Sequence, residues 1–200
     1  DAGAGSAFGT SFVLAVAAAT TVLALAALLV ALERRRRSGM ATVAALGFAV
    51  PGSVLAVAVL LAYGPWLRDT TLIILLAYVA KFWALGHRPV ASSADSVSPE
   101  FFGSARLSGA SAITAIRTIT VPLLRPALVV AWLLVFLFAL HELTMSSLLY
   151  GPGSATLAVT VLNLRQLGDP TTTSALAVLL TVGVVAVGAP LAWMYRRSAS

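Results

Sequence analysis

"SFVLAVAAATTVLALAALLVALERRRR", Ser11 to Arg37, runs 22 residues without a charge and then meets five charged residues in a row. A helix needs roughly 20 apolar residues to cross a bilayer, so this stretch reads as a membrane span that ends at Glu33. The rest of the chain repeats the pattern. Of its 200 residues, 60% are hydrophobic and only 10% charged, and a mean hydropathy of +0.97 lies far outside the range of a soluble domain. The expected fold class is an all-α integral membrane protein with about five transmembrane helices, in a single membrane domain over residues 1–200. No length is left for a second, soluble domain.

The uncharged runs give the spans. The first covers residues 11–32. The second, 41–63, carries Pro51-Gly52 at its middle, where a missing donor and a clash with the preceding turn predict a kink or break. The third, 70–85, is short, with Lys81 near its end extending to the interface. The fourth, 126–149, is uncharged to Leu140 and then meets His141 and Glu142, and the fifth, 174–195, stops at Arg196-Arg197.

Short cytoplasmic loops hold the excess of Lys and Arg. Eleven of the 13 basic residues, Arg34 to Arg37, Lys81, Arg88, Arg106, Arg117, Arg125, Arg196 and Arg197, fall on one side, against Arg68 and Arg165 on the other. The N-terminus of the segment is therefore expected outside and its C-terminus in the cytoplasm. The net charge of +6 comes mostly from residues beside apolar runs, where they serve topology and anionic lipid headgroups. The expected environment is the lipid bilayer, and nucleic acid is not an expected partner. The chain starts at Asp1 without a basic n-region or cleavage site, which predicts a fragment or the later part of a longer protein.

Several chemistries are excluded by simple counts. The only lysine is Lys81, in "AYVAKFW", so no G-x-x-x-x-G-K-[ST] phosphate loop exists and any nucleotide-driven work must come from a partner. There is no G-x-S-x-G, and His141-Glu142 is followed by "LTMSS" rather than a second histidine. Cysteine is absent, and His87 and His141 are the only histidines, too few for a metal cluster. No catalytic residue, metal ligand or cofactor is expected in this chain.

Glu142 stands at the end of a long apolar helix, where an ionisable group is costly unless paired or facing water. It reads either as part of a translocation pathway or gate, together with Pro51 and Gly52, or as a locally hydrogen-bonded glutamate that ends the span. His141 points about 100° away on a helix and reads as interfacial. Arg68, Asp69, Arg165 and Asp169 belong to the outer face.

Two longer connections remain. In the loop 87–125, opened by "SSADSVSPE", Ser98 can cap a helix that begins at Pro99-Glu100 and runs to about Ser108. Gly109 offers a sharp turn, and a second helix covers Ala110 to Thr120, ended by Pro122. Two short helices meeting at Gly109 form a protrusion suited to a groove on another protein. The outer loop, Tyr150 to Thr173, opens with the turn Gly151 to Gly153 and holds "TLAVTVLNLRQL", Thr156 to Leu167, as a short interfacial helix.

The loop resembles the cytoplasmic coupling motif of permease subunits of binding-protein-dependent ABC importers. That motif reads E-A-A, three residues, G, nine residues, I, one residue, L-P. Ala105, Gly109, Ile119 and Pro122 match at the right spacing, and Val121 stands for the leucine. Gly103 replaces the glutamate and Ser104 the first alanine, with Glu100 one helical turn earlier. The likeness extends to "AVPGSVLA", Ala49 to Ala56, and "VPLLRPAL". "HELTMSSLLYGPGSATLAVTVLNLRQLGD", His141 to Asp169, most resembles the ferric iron branch, with cousins for thiamine, aminoethylphosphonate and sulfate.

The resemblance implies a type I importer core in a bacterial inner membrane and several partners. Two ATPase subunits, which bind ATP and Mg, would hold the coupling loop of Glu100, Gly103, Ser104, Ala105, Gly109, Ile119 and Pro122. An extracytoplasmic substrate-binding protein would dock outside, and a second permease half or a second copy would complete the pathway. In the ferric iron branch a double-length chain is common, so these residues fit a C-terminal half. From another class, an ion-coupled secondary transporter would use Pro51-Gly52 and Glu142 as a midplane ion site. A third reading is a structural membrane subunit with no pathway of its own.

Overall fold

The computed structural model describes residues 2–33, 40–97, 109, 111–167, 170, 171, 173–178, 181–183, 185 and 189. Among these residues the chain is helices and their connections, with no strand. Helix α1 is Ala2–Glu33, α2 Met40–Ala49, α3 Gly52–Leu67 and α4 Thr71–Asp95. After the long connection come α5 (Ala112–Ala115), a π-helical turn (Ile116–Thr120), α6 (Val121–Leu140), α7 (Thr144–Leu149) and α8 (Leu157–Gln166). A short apolar helix, α9, follows over Thr173–Gly183.

Among the described residues three helical stretches are long and apolar enough to cross a membrane: Gly5–Glu33, Thr71–Asp95 and Ile116–Leu140. The pair α2 and α3 makes a fourth span if taken as one bent element, its halves meeting at 93°. Of the expected fifth span, residues 174–178, 181–183, 185 and 189 are described. Its end at Arg196-Arg197 lies outside the described residues, as do Arg34 to Arg37 and the expected helix from Pro99 to Ser108 with Glu100, Gly103, Ser104 and Ala105.

Three expected boundaries are corrected. The helix of the third span does not stop at Leu85: α4 continues through His87, Arg88 and Pro89 to Asp95. Hydropathy marks where a helix leaves the hydrocarbon, and nothing in that sequence ends the helix there. The fourth span does not reach Leu149 as one element: the chain turns after Leu140 and resumes as α7. Pro122 does not end the preceding helix either. The π-turn lets Val121 donate to Ile116 O, five residues back, and the residue without a donor falls immediately after it, in the first turn of α6.

The core is the mutual packing of α1, α4 and α6, with α2 and α3 on the flank of α4. Helix α1 presents Ala15, Ala18, Ala19, Val22 and Ala26 at helical spacing, all buried. Small residues at helix contacts let backbones approach closely, which is how helices associate in lipid without a hydrophobic drive. Ile73, Ala77 and Phe82 of α4 and Val135, Phe136 and Ala139 of α6 complete one cluster with α1. A second cluster joins Ala26 and Val30 of α1, Val90 and Ala94 of α4, and Leu124 and Ala131 of α6. The C-terminal ends of α1 and α4 thus lie beside the start of α6. Helices α1 and α4 run the same way and α6 runs back between them.

At Gly86 the approach of α4 to α1 leaves no room: a Cβ there would stand 2.5 Å from Val22 Cγ1, part of a fully buried side chain. Gly86→Ala is expected to lower stability by about 1–3 kcal/mol through overpacking. Gly9→Ala, where nothing lies within 4 Å, serves as control. Thermal unfolding of the two purified variants in detergent checks this, with a lower midpoint expected for Gly86→Ala alone.

Candidate functional site

Two interruptions of helix geometry meet beside α4. The first is at Val50-Pro51, where Pro51 takes an extended conformation (φ −57°, ψ 140°) and α3 begins at Gly52. A break inside a span leaves carbonyls at the end of one half-helix and N–H groups at the start of the next without intrahelical partners, which lipid cannot supply. Lys81 supplies donors for the carbonyls. Its Nζ donates to Phe48 O at 2.9 Å and to Val50 O at 2.5 Å, and it lies 5.1 Å from the centre of the Phe48 ring. A cation at a helix C-terminus also complements the helix dipole.

This placement corrects the reading of Lys81 as an interfacial anchor on the cytoplasmic side. Counting from Thr71, Lys81 lies about 15 Å along α4, well before that helix ends at Asp95. Its ammonium is held in the span by the carbonyls of the broken helix.

The second interruption follows Leu140. His141 N donates to Leu137 O and Glu142 N to Ala139 O, which closes α6, and α7 starts at Thr144. Glu142 Oε1 then accepts from Met145 N at 2.9 Å, in the first turn of α7. The start of α3 presses on the same turn: a Cβ at Gly52 would lie 3.5 Å from Met145 Cγ, 3.8 Å from Thr144 Cβ and 3.9 Å from Glu142 Oε1. The half-buried carboxylate therefore stands between two helix N-termini, where a negative charge is favoured. His141 is exposed and faces its own helix, with Nδ1 3.2 Å from Leu137 O.

Tyr78 joins this turn to α4. Ser146 Oγ donates to Glu142 O at 2.8 Å. The Tyr78 hydroxyl lies 2.5 Å from Ser146 Oγ and 3.3 Å from Glu142 O. With the Ser146 proton committed to the carbonyl, the phenol donates to the serine. Tyr78 and Ser146 are 1% and 0% exposed. Tyr78 and Lys81 are three residues apart and share a face of α4. One face thus grips the end of α2 through Lys81 and the turn before α7 through Tyr78.

At the far end of the bundle, His87 is 1% exposed, and its Nε2–H donates to the Glu33 carboxylate at 3.1 and 3.2 Å. Its Nδ1 is buried with no hydrogen-bond partner among the described residues. This ties α4 to the last residue of α1, so His87 is a core residue and does not open the loop. Beyond it, Gly109 has φ +77°, the left-handed conformation that favours glycine. Ser111 Oγ accepts from Thr114 N at 3.2 Å at the start of α5, Ile119 is half-buried and Pro122 exposed.

The family model described as binding-protein-dependent transport system inner membrane component matches residues 21–200. The chain belongs to that family. The putrescine transport system permease protein PotI of Escherichia coli (strain K12), and the protein of the same name from a second Escherichia coli strain, are each 34% identical to it over 85 residues, 42% of this chain. The match spans 30% of the length of those curated relatives. The crystal structure of a bacterial ABC transporter involved in the import of the acidic polysaccharide alginate shares its fold, with a TM-score of 0.64 at 17% identity over 94% of this chain and 79% of that one.

In this inner membrane component Pro51, Gly52 and Glu142 are brought to one place. Gly109, Ile119 and Pro122 follow one another along the approach to α6, while Glu100, Gly103, Ser104 and Ala105 lie outside the described residues. Sequence reasoning missed the grip of Lys81 on α2, the Tyr78–Ser146 bond and the His87–Glu33 bond. A signal existed for the first: a lysine inside one span and a Pro-Gly break in the preceding one complement each other chemically.

Glu142 is an acceptor for the first turn of α7, and glutamine keeps an acceptor oxygen there while alanine does not. Glu142→Ala is expected to cost about 1 kcal/mol of stability, the usual loss of a helix cap, and Glu142→Gln less than half of that. Thermal unfolding of the purified variants checks the order; equal loss would show that the carboxylate does not cap α7.

Proposed function

We propose that this chain is the membrane-spanning permease part of an ABC importer, forming one side of a solute pathway and taking its energy from separate ATPase subunits. The observation that carries the reading is the family match over residues 21–200. The left-handed corner at Gly109, thirteen residues before Pro122, supports it further. On this reading the Glu33 end of the bundle faces the cytoplasm and the Leu140 end faces outward. That orientation rests on the basic residues around loop 87–125.

Each partner has a place in the proposal. ATPase subunits carrying ATP and Mg receive the segment around Gly109, a substrate-binding protein docks outside, and a second permease half, in the same chain or a second copy, completes the pathway. The chain itself performs no catalysis. Pro51, Gly52 and Glu142 are the proposed gate, because a charged group beside a broken span lies where half-helix ends can open or close a pathway.

Two solute classes have support. The likeness of His141 to Asp169 to the ferric iron branch favours ferric iron, and the relative named for putrescine favours an organic cation. Binding of ferric iron, putrescine, thiamine, aminoethylphosphonate and sulfate to the cognate binding protein separates them. An ion-coupled carrier is the rival mechanism. Uptake that survives ATP depletion and collapses with the proton gradient would overturn the importer reading.

The coupling role is tested at Gly109. No described atom lies within 4 Å of a Cβ there, so a large side chain meets no internal clash and acts on the protruding corner and its positive φ. Gly109→Trp is expected to leave membrane insertion normal and ATP hydrolysis running while uptake falls about tenfold or more. Wild-type uptake by this variant would count against coupling through this corner.

A further inference from the structure

Lys81 has no role in the proposed pathway, yet it is a charged residue halfway along a membrane-spanning helix. Such a group is costly and is retained where a specific partner or a moving part needs it. Its partners here are the main-chain carbonyls of Phe48 and Val50, at one edge of a 93° break. The opposite edge of the break rests on Glu142 and the first turn of α7, which Tyr78 fastens to α4 three residues before Lys81. Both edges are therefore referred to one face of α4.

The two attachments differ in kind. The α3 edge is held by apolar packing, with Ala56 and Val59 of α3 buried in the main cluster that also holds Met145 of α7. The α2 edge is held by one long, flexible side chain through hydrogen bonds to main-chain oxygens. Lys81 is half-buried, its bond to Phe48 O lies on the exposed side of the contact and that to Val50 O is partly buried. Hydrogen bonds from a four-carbon ammonium can be broken and remade without repacking a core, whereas moving the buried face of α3 at Ala56 and Val59 would repack it. Rotation at Val50-Pro51 is thus restrained on one side by an exchangeable latch.

We propose that Lys81 is a positioning residue for transport: it latches the C-terminal end of α2 to α4 in this state, and the α2–α3 break swings when the latch releases. The proposal rests on the importer reading and assigns the moving joint and the residue that sets its rest position. Lys81 acts through the main-chain carbonyls of Phe48 and Val50 and has no contact with solute.

The protein contains no cysteine, so a single introduced thiol reports the joint. The test uses the complete transporter, reconstituted with its ATPase subunits and binding protein in vesicles. Lys81→Met keeps a linear stem and removes the ammonium. It is expected to lower the maximal rate of ATP-driven uptake about tenfold or more, with half-saturation by the binding protein changed less than about twofold and ATP hydrolysis retained. Lys81→Arg, which keeps charge and donors, is expected to recover uptake to within about threefold of wild type.

Labelling of Ser53→Cys, an exposed position just past the break, by a water-soluble maleimide is expected to differ about tenfold between nucleotide-free and nucleotide-trapped wild-type complexes. Should Lys81→Met fail to assemble, this labelling alone decides, and equal rates in the two states overturn the proposal. Wild-type uptake by Lys81→Met, or an Arg variant no better than the Met variant, overturns the latch while leaving the importer reading intact. ATP hydrolysis that drives no uptake by the wild-type complex overturns the importer reading, and the latch with it.

Discussion

Everything around the site follows from one rule of the bilayer: a main-chain N–H or C=O without a partner has no water to turn to. The break at Pro51 violates it on purpose, because the proline removes a donor and the chain leaves helical geometry at Val50. The violation is tolerable only if side chains from a neighbouring helix arrive at the right depth. Lys81 does so on the carbonyl side. On the amide side the start of α3 is set against the turn that holds Glu142. A mid-span lysine and a glutamate at a helix corner then stop being two isolated anomalies. They take up the opposite ends of two half-helix dipoles.

Apolar packing alone would not fix how α1, α4 and α6 stand against one another, since lipid tails solvate an alanine surface as well as another helix does. The close approach of α4 to α1 at Gly86 selects a rotation and a depth. Polar bonds at several levels then fix the register. Ser11 Oγ of α1 accepts from Leu157 N at the start of α8 at 2.7 Å, Trp132 Nε1 of α6 donates to Thr20 Oγ1 of α1 at 3.2 Å, and His87 meets Glu33 near the opposite end. Each bond joins different elements, so sliding one helix past another would break it, and at Ser11 and Leu157 would strand a buried donor and acceptor.

How much of this was legible in the sequence depends on whether a feature is local. The break at Pro51-Gly52 and the helix after Thr156 are written in runs of a few residues, by Pro and Gly or by hydropathy, and both stand where the sequence reading puts them, whereas the first helix begins well before Ser11 because small residues and a polar start do not stop a helix. The end of α4 is not legible because polarity at His87 and Arg88 bears on where a helix leaves the hydrocarbon and says nothing about main-chain geometry. Pro122 was read as a stop because its penalty assumes an α-helical ladder, and the π-turn before it removes that assumption. Lys81, Tyr78 and His87 were not legible as a site because their partners lie between 31 and 68 residues away in sequence. Only the folded chain brings them together.

The same π-turn bears on how work could travel through the molecule. With Pro122 accommodated, helix runs unbroken from Ile116 to Leu140, so the segment that follows Gly109 and the turn that holds Glu142 are two ends of one rod. A helix that stopped at Pro122 would have put a joint between the segment after Gly109 and the rest of α6. As built, the rod lacks one main-chain donor at Pro126, inside α6, and otherwise continues as helix to Leu140. There it meets α7, whose first turn lies against Gly52 at the edge of the break. Continuity provides a route without being evidence of coupling, which requires an element with two arrangements at the end of it. The α2–α3 break, closed on one side by packing and on the other by an exchangeable ammonium, is the element at that position whose restraint can be released without unpacking the core.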